Sequence, residues 1–160
     1  MIRAVKFEAW HYVVLFEKTM QFSTGIGLPD PVKIACRLAE DGRAYSGVTE
    51  KNELVGCAGI LIPWAGRGIA WAMLDKALLT GPARDRIGVQ RHVRRLFEVI
   101  IAEEGLVRVE ADVQPSFTLA HAWVKALGFV PESEMPEFRN GETFTRYVRL
   151  VKHGGGSSQP

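Results

Sequence analysis

Between Ile69 and Val113 the hydrophobic period runs from two to 3.6 and back to two, and no other feature restricts the chain as much. Ile69–Leu74 (IAWAML) is an apolar run of strand length. From about Gly88 to Glu104, residues Val89, Val93, Leu96, Phe97 and Ile100 share one side of a predicted helix. Arg91, Arg94, Arg95 and Glu98 share the other, with Arg94 and Glu98 spaced for an ion pair. Gly105 is its expected stop, and Leu106–Val113 (LVRVEADV) alternates strictly, with the valines and Ala111 on one face and Arg108, Glu110 and Asp112 on the other. A helix between two strands predicts a crossover joining parallel neighbours in the right-handed sense.

The flanking segments add antiparallel pieces. Ala9, Tyr12, Val13 and Phe16 give helical spacing over residues 8–18, and Asp30 before Pro31 predicts a capped helix entry over residues 31–40. Two short runs, 44–49 and 53–63, then read as a hairpin turning at EKN, and Trp64–Gly68 turns the chain into Ile69–Leu74. Residues 75–86 read as a loop. A short helix is predicted over 117–127, closed by LGF, and 138–151 folds back as a hairpin about Asn140-Gly141. The expectation is one α/β domain over residues 1–152, a mixed and mostly antiparallel sheet with helices on both faces, and a flexible Gly/Ser tail over 153–160.

A chain of 160 residues can bury about 70% of its unfolded surface, so a full core is available. A net charge of +2 is too small to make nucleic acid the default partner. Five arginines and His92 crowd residues 81–97, but no Phe, Trp or Tyr is interleaved among them before Leu96, so base stacking lacks its platform. Cys36 and Cys57 lack the CxxC spacing and read as reduced core residues; Trp64, Trp71 and Trp123 read as core or cleft wall. The four histidines share no ligand spacing, which predicts no metal. No Gly-Lys-Ser/Thr is present, and Gly25-Ile-Gly27 lacks a third glycine in place. No signal segment and no run of 18 apolar residues is found, so a cytoplasmic location and no membrane partner are expected.

Element order together with Val113-x-x-x-Phe117-x-x-Ala120 and Lys125-Ala-Leu-Gly-Phe129 resembles the GNAT superfamily of acyl-CoA-dependent N-acyltransferases, over nearly the whole chain. Within it, the AWAML strand and the long segment after it are most similar to the small acyltransferase-like proteins of tailed-phage and prophage genomes. The resemblance implies that the parallel strands splay, that acetyl-CoA lies in the V with its pantetheine arm along Ala72, Met73 and Leu74, and that its pyrophosphate meets the start of the following helix. It places Arg84, Arg86, Ile87, Gly88 and Val89 at the phosphates, and Phe117 and Trp123 on the cofactor wall. At the phosphate turn, Ala83-Arg-Asp-Arg-Ile-Gly88 keeps only the last of the family's glycines, and arginine offers bidentate phosphate bonds in exchange. Val124 stands where many members carry a tyrosine acid, and Phe117 where they carry an asparagine.

The implied activity is transfer of an acetyl group to a primary amine on a small-molecule or protein acceptor. Glu110 and Asp112, on the polar face beside the gap, are the candidate general bases, against the plainer reading that they pair with Arg108 or face solvent. His121 lies near the cleft and reads more simply as structural. A second class of function is compatible with the same residues: a GNAT-like protein without turnover, acting as a binding or structural component in a phage particle or against a host protein.

Overall fold

The computed structural model describes residues 2–18, 30–40 and 42–151. Gly25, Gly27 and the tail from His153 lie outside them. Seven strands form one sheet: β1 (Arg3–Lys6), β2 (Gly42–Val48), β3 (Leu54–Trp64), β4 (Arg67–Leu74), β5 (Arg108–Val113), β6 (Val130–Arg139) and β7 (Glu142–Leu150). Their order is β1-β2-β3-β4-β5-β7-β6, antiparallel throughout except β4 with β5. The crossover between that parallel pair is as the change of period predicts.

Alternation along the strands divides the core in two. On one face, α1 (Ala9–Lys18) and α2 (Pro31–Glu40) enclose Tyr12, Leu15, Ala35 and Leu38 with Cys57 and Met73 of the sheet. On the other, α3 (Lys76–Thr80), α4 (Ala83–Glu103) and α5 (Thr118–Ala126) cover Ile60, Leu74, Val109, Ala111 and Val113. Along β4, Trp71 and Met73 therefore face the α1–α2 layer, while Ala70, Ala72 and Leu74 face α4 and α5. Asp30 caps α2 by accepting from the N–H of Val32 at 2.9 Å, as the Asp-Pro pair predicts. Among the described residues no helix is long and apolar enough to cross a membrane.

Two helix stops explain why the LGF pattern is informative. After α4, Gly105 takes φ +59° and Leu106 N–H returns to Ile101 O at 3.0 Å. After α5, Gly128 takes φ +93°, Gly128 N–H bonds Lys125 O, and Phe129 N–H returns to Val124 O at 3.3 Å. Both are left-handed caps in which the next residue drops into the core. Phe129 accordingly sits edge-on to Phe97, ring centroids 6.5 Å apart. A Cβ at Gly128 would touch only Arg149 at ordinary distance, so Gly128→Ala isolates the backbone term. Its expected effect is a loss of about 1–2 kcal/mol in urea unfolding.

Several expectations need correction. Residues 75–86 are not a loop: Asp75 caps α3 through the N–H of Ala77 at 2.7 Å, and α4 already begins at Ala83. The last hairpin starts at Val130 rather than residue 138, because β6 is the sheet's edge and its sequence PESEMPEFR carries the prolines and charges that protect an edge instead of an apolar alternation. Cys57 is buried, but Cys36 is exposed, one position off the Ala35–Leu38 stripe that α2 buries. Trp64 is 60% exposed and carries the Arg67 guanidinium 4.4 Å over its ring. Glu98 pairs not with Arg94 but with Arg149 across to β7, at 2.7 Å.

Candidate active site

The parallel pair is short. β4 and β5 share the register Arg67↔Arg108, Gly68↔Val109 and Ile69↔Glu110, and none beyond it. From Ala70 on β4 and Ala111 on β5 the strands part, while each keeps its antiparallel neighbour to the end: β4 with β3 as far as Leu74, β5 with β7 as far as Val113. The opening is thus a wedge held from outside by two intact ladders.

Glu110 marks the point of parting. It is 3% exposed, and Arg67 donates to both of its oxygens at 2.5 and 3.2 Å, while Arg108 adds a bond at 2.6 Å. Arg108 also grips Glu132 of β6, and Arg146 approaches Glu110 at 3.7 Å. Burial alone would push this carboxyl up, but the hydrogen bonds and charge of Arg67 and Arg108, with Arg146 behind them, pull it down to about 2. It is fixed as an anion at every physiological pH. Asp112 stands two residues further along, past the last paired register, with its oxygens bonded to Arg146 at 2.9 and 3.1 Å. Both carboxylates share the face of Trp71 and Met73.

Across the sheet, on the α4–α5 side, lies a cavity of about 380 Å³. Leu74 at the end of β4, Leu78 and Leu79 of α3, Ile87 and Val89 of α4, and Phe117 and Trp123 beside or within α5 line it. Arg86 and Gln90 are its polar lining residues. Leu74, Arg86, Ile87, Val89, Phe117 and Trp123 are therefore brought together as the sequence suggests. The others are placed differently. Met73 is buried on the opposite face, Arg84 points outward against Asp85 at 3.6 Å, and Gly88 lies inside α4 with open space where a Cβ would stand. Glu110 and Asp112 lie across the parted strands from the cavity.

What the sequence reading missed is where the anion-attracting terminus falls. α4 spans Ala83–Glu103, with Pro82 as N-cap and no side chain capping it. A 21-residue helix with an uncapped start presents free N–H groups and positive dipole there. The signal was present in Gly81-Pro82, since proline favours the beginning of a helix. Arg86 has a second task that sequence could not reveal: its Nη1 donates to Leu79 O at 3.1 Å and Gly81 O at 2.5 Å, bracing the end of α3 against α4.

His121 does not line the cavity. Its Nε2 faces the carbonyl of Gln114 at 3.1 Å and so carries the proton, which leaves Nδ1 to accept from Tyr147 Oη at 2.8 Å. It ties α5 to β7 and to the turn that follows β5. Val124, where the resemblance expects a tyrosine acid, is buried in the core. Among the described residues no group of three or more His, Cys, Asp or Glu could hold a metal ion.

No protein-family model matches the sequence, and no curated protein matches it. Solved structures do match the fold. Ribosomal-protein-S18-alanine N-acetyltransferase from Escherichia coli superposes with a TM-score of 0.71 at 14% identity, covering 98% of each chain. Ribosomal-protein-S5-alanine acetyltransferase from Vibrio fischeri gives 0.68 at 14% identity, over 93% of this chain and 92% of its own. A mutant of spermidine N-acetyltransferase from Vibrio cholerae gives 0.67 at 10% identity, over 93% of each. With its seven strands in this order, one parallel pair that parts, and helices on both faces, the chain has the GNAT fold shared by these N-acetyltransferases.

Proposed function

We propose that this protein transfers an acetyl group from acetyl-CoA to a primary amine. The observation that carries the reading is the wedge: three shared registers between β4 and β5, then separation, with a cavity on one face and carboxylates on the other. In this reading the pantetheine arm lies along Ala72–Leu74 as an added strand, and backbone donors near Met73 and Leu74 hold the thioester oxygen. The pyrophosphate rests at the start of α4, with Arg84 and the free nitrogens of Arg86 beside it, and Ile87, Val89, Phe117 and Trp123 wall the cofactor. Gly88 contributes by leaving α4's surface open rather than by turning the backbone.

The amine arrives from the face of Trp71 and must lose a proton before it attacks the thioester carbon. Glu110, held near 2, is a poor proton acceptor and serves to fix the base of the wedge. Asp112 stands where the strands have parted, and each of its oxygens keeps a lone pair after bonding Arg146. We assign it the proton. Nitrogen then bonds the acetyl carbon, the carbon–sulfur bond breaks and coenzyme A leaves as thiolate, which takes up through water the second proton that the nitrogen sheds in becoming an amide.

The test begins with melting in acetyl-CoA, which at about 100 times its Kd should add about 2.7 kcal/mol to stability. Arg86→Ala should shrink that shift and also lower the stability of the free protein by about 1.5 kcal/mol, since two carbonyls lose a charged donor. Thiol release with a panel of small amines and N-terminal peptides then measures turnover, and Asp112→Asn should slow it about 100-fold or more. No melting shift at millimolar acetyl-CoA would sink the proposal. One feature favours a second reading: apart from Arg86 and Gln90 the cavity lining is apolar and offers no acid. A shift without thiol release would assign the chain to acyl-CoA binding without turnover, as in the binding or phage-component role.

A further inference from the structure

One buried side chain fastens the start of α1. His11 is the third residue of that helix, and its Nδ1 lies 3.0 Å from the backbone nitrogen of Glu8, just before the helix, and 2.9 Å from Ser46 Oγ of β2. The Glu8 nitrogen can only donate, so Nδ1 is an acceptor and the neutral ring carries its proton on Nε2. Ser46, itself buried, turns its hydroxyl proton to the same nitrogen. The first contact closes the helix terminus as the third residue of a capping box does, and the second ties that turn to the sheet.

Behind His11 stands an aromatic wall. Phe7 lies edge-on to both His11 and Trp71, with ring centroids 6.2 and 5.4 Å apart, and Tyr12 meets Trp71 at 6.0 Å. The Trp71 Nε1 is buried without a hydrogen-bond partner, so packing alone holds the indole on the α1–α2 face where β4 and β5 part. Among the charged groups, the Glu8 carboxylate acts on the His11 ring; it also accepts from Trp10 Nε1 at 2.9 Å, and Trp10 covers the ring edge-on at 4.1 Å. Tyr12 and Cys57, both pushed up to about 12 by burial, stay neutral. Lys6 of β1, Arg43 and Tyr45 of β2, and Lys33, Arg37 and Glu40 of α2 are exposed. Burial holds the imidazole below its ordinary range, against the pull of the Glu8 carboxylate.

We propose that His11 is an acid-sensitive latch: neutral, it fastens the first turn of α1 to β2; protonated, it releases that turn and loosens the packing on Trp71. Since Nε2 already carries a proton, the second must enter at Nδ1, where it meets the Glu8 N–H as donor against donor, and only Ser46 can rotate to accept. The unfolded chain binds this proton first as pH falls. The stabilisation from the latch is therefore full above about pH 6.5 and falls away below it.

The test is heteronuclear NMR of the full chain from about pH 7.5 to about 5, with the His11 ring assigned by its loss in His11→Asn. A neutral ring protonated on Nε2 is expected, titrating below 6.5, with the Glu8 amide and the Trp71 indole N–H shifting at the same midpoint. In His11→Asn the Oδ1 replaces Nδ1 as acceptor and does not titrate, so both signals should hold constant over that range. Ser46→Ala removes one donor to Nδ1 and should raise the midpoint, a result that does not depend on how asparagine packs at position 11. A neutral ring protonated on Nδ1, a midpoint at or above 6.5, or a Glu8 or Trp71 signal indifferent to the titration would each overturn the proposal.

Discussion

Glu110→Gln should lower the unfolding free energy by about 3 kcal/mol at neutral pH, measured by urea denaturation. The change is nearly isosteric, so what it removes is charge: Arg67 and Arg108 lose the anion they converge on, and removing one member of a buried ion cluster typically costs about 3–5 kcal/mol. The lower end applies because all three arginines keep some contact with water. The pH dependence has a definite sign. The Glu110 carboxyl titrates at about 2 in the folded chain against 4.5 when free, so the unfolded state takes up the proton first as pH falls. The stability it contributes is fully present above about pH 4.5 and is lost between there and about pH 2. In Glu110→Gln that part of the acid slope should vanish. A variant as stable as the wild type, with an unchanged slope, would show that the cluster does not pin the base of the wedge.

Ala120→Trp should abolish the melting shift produced by acetyl-CoA while leaving the fold intact. Ala120 lies on the cavity side of α5 beside Phe117 and Trp123, where a new indole would occupy space the cofactor needs. The expected loss is the whole of the roughly 2.7 kcal/mol that saturating ligand supplies. Circular dichroism should be unchanged. An undiminished acetyl-CoA shift in Ala120→Trp would mean that the ligand binds elsewhere.

Much of this architecture was legible because the signals are local. The switch of period between Ile69 and Val113, the capping pair Asp30-Pro31, the two left-handed glycines after α4 and α5, and the Asn140-Gly141 turn each act through neighbours a few residues away. Asn140 and Gly141 both take positive φ, at 52° and 75°, as that hairpin turn requires. β6 was only half legible, because an edge strand is shaped by the need to avoid further pairing, and that need erases alternation. The start of α4 was misplaced by about five residues, since glycine at position 88 looked like a turn and is in fact a gap in a helix surface.

The candidate site shows the same division. That Glu110 and Asp112 share one strand face follows from strand alternation, whereas Phe117 and Trp123 were expected on one wall only through the resemblance. The order of helices and strands and the crossover were likewise contained in the chain's own pattern, because hydrophobic periodicity and turn chemistry are properties of short segments. How far β4 and β5 stay together, which arginine neutralises which carboxylate, and whether Arg86 meets a ligand or braces α3 depended on residues up to 43 positions apart, as in Arg67 and Glu110. Long-range packing sets those outcomes, since charges and register find their partners only once the sheet has closed around them.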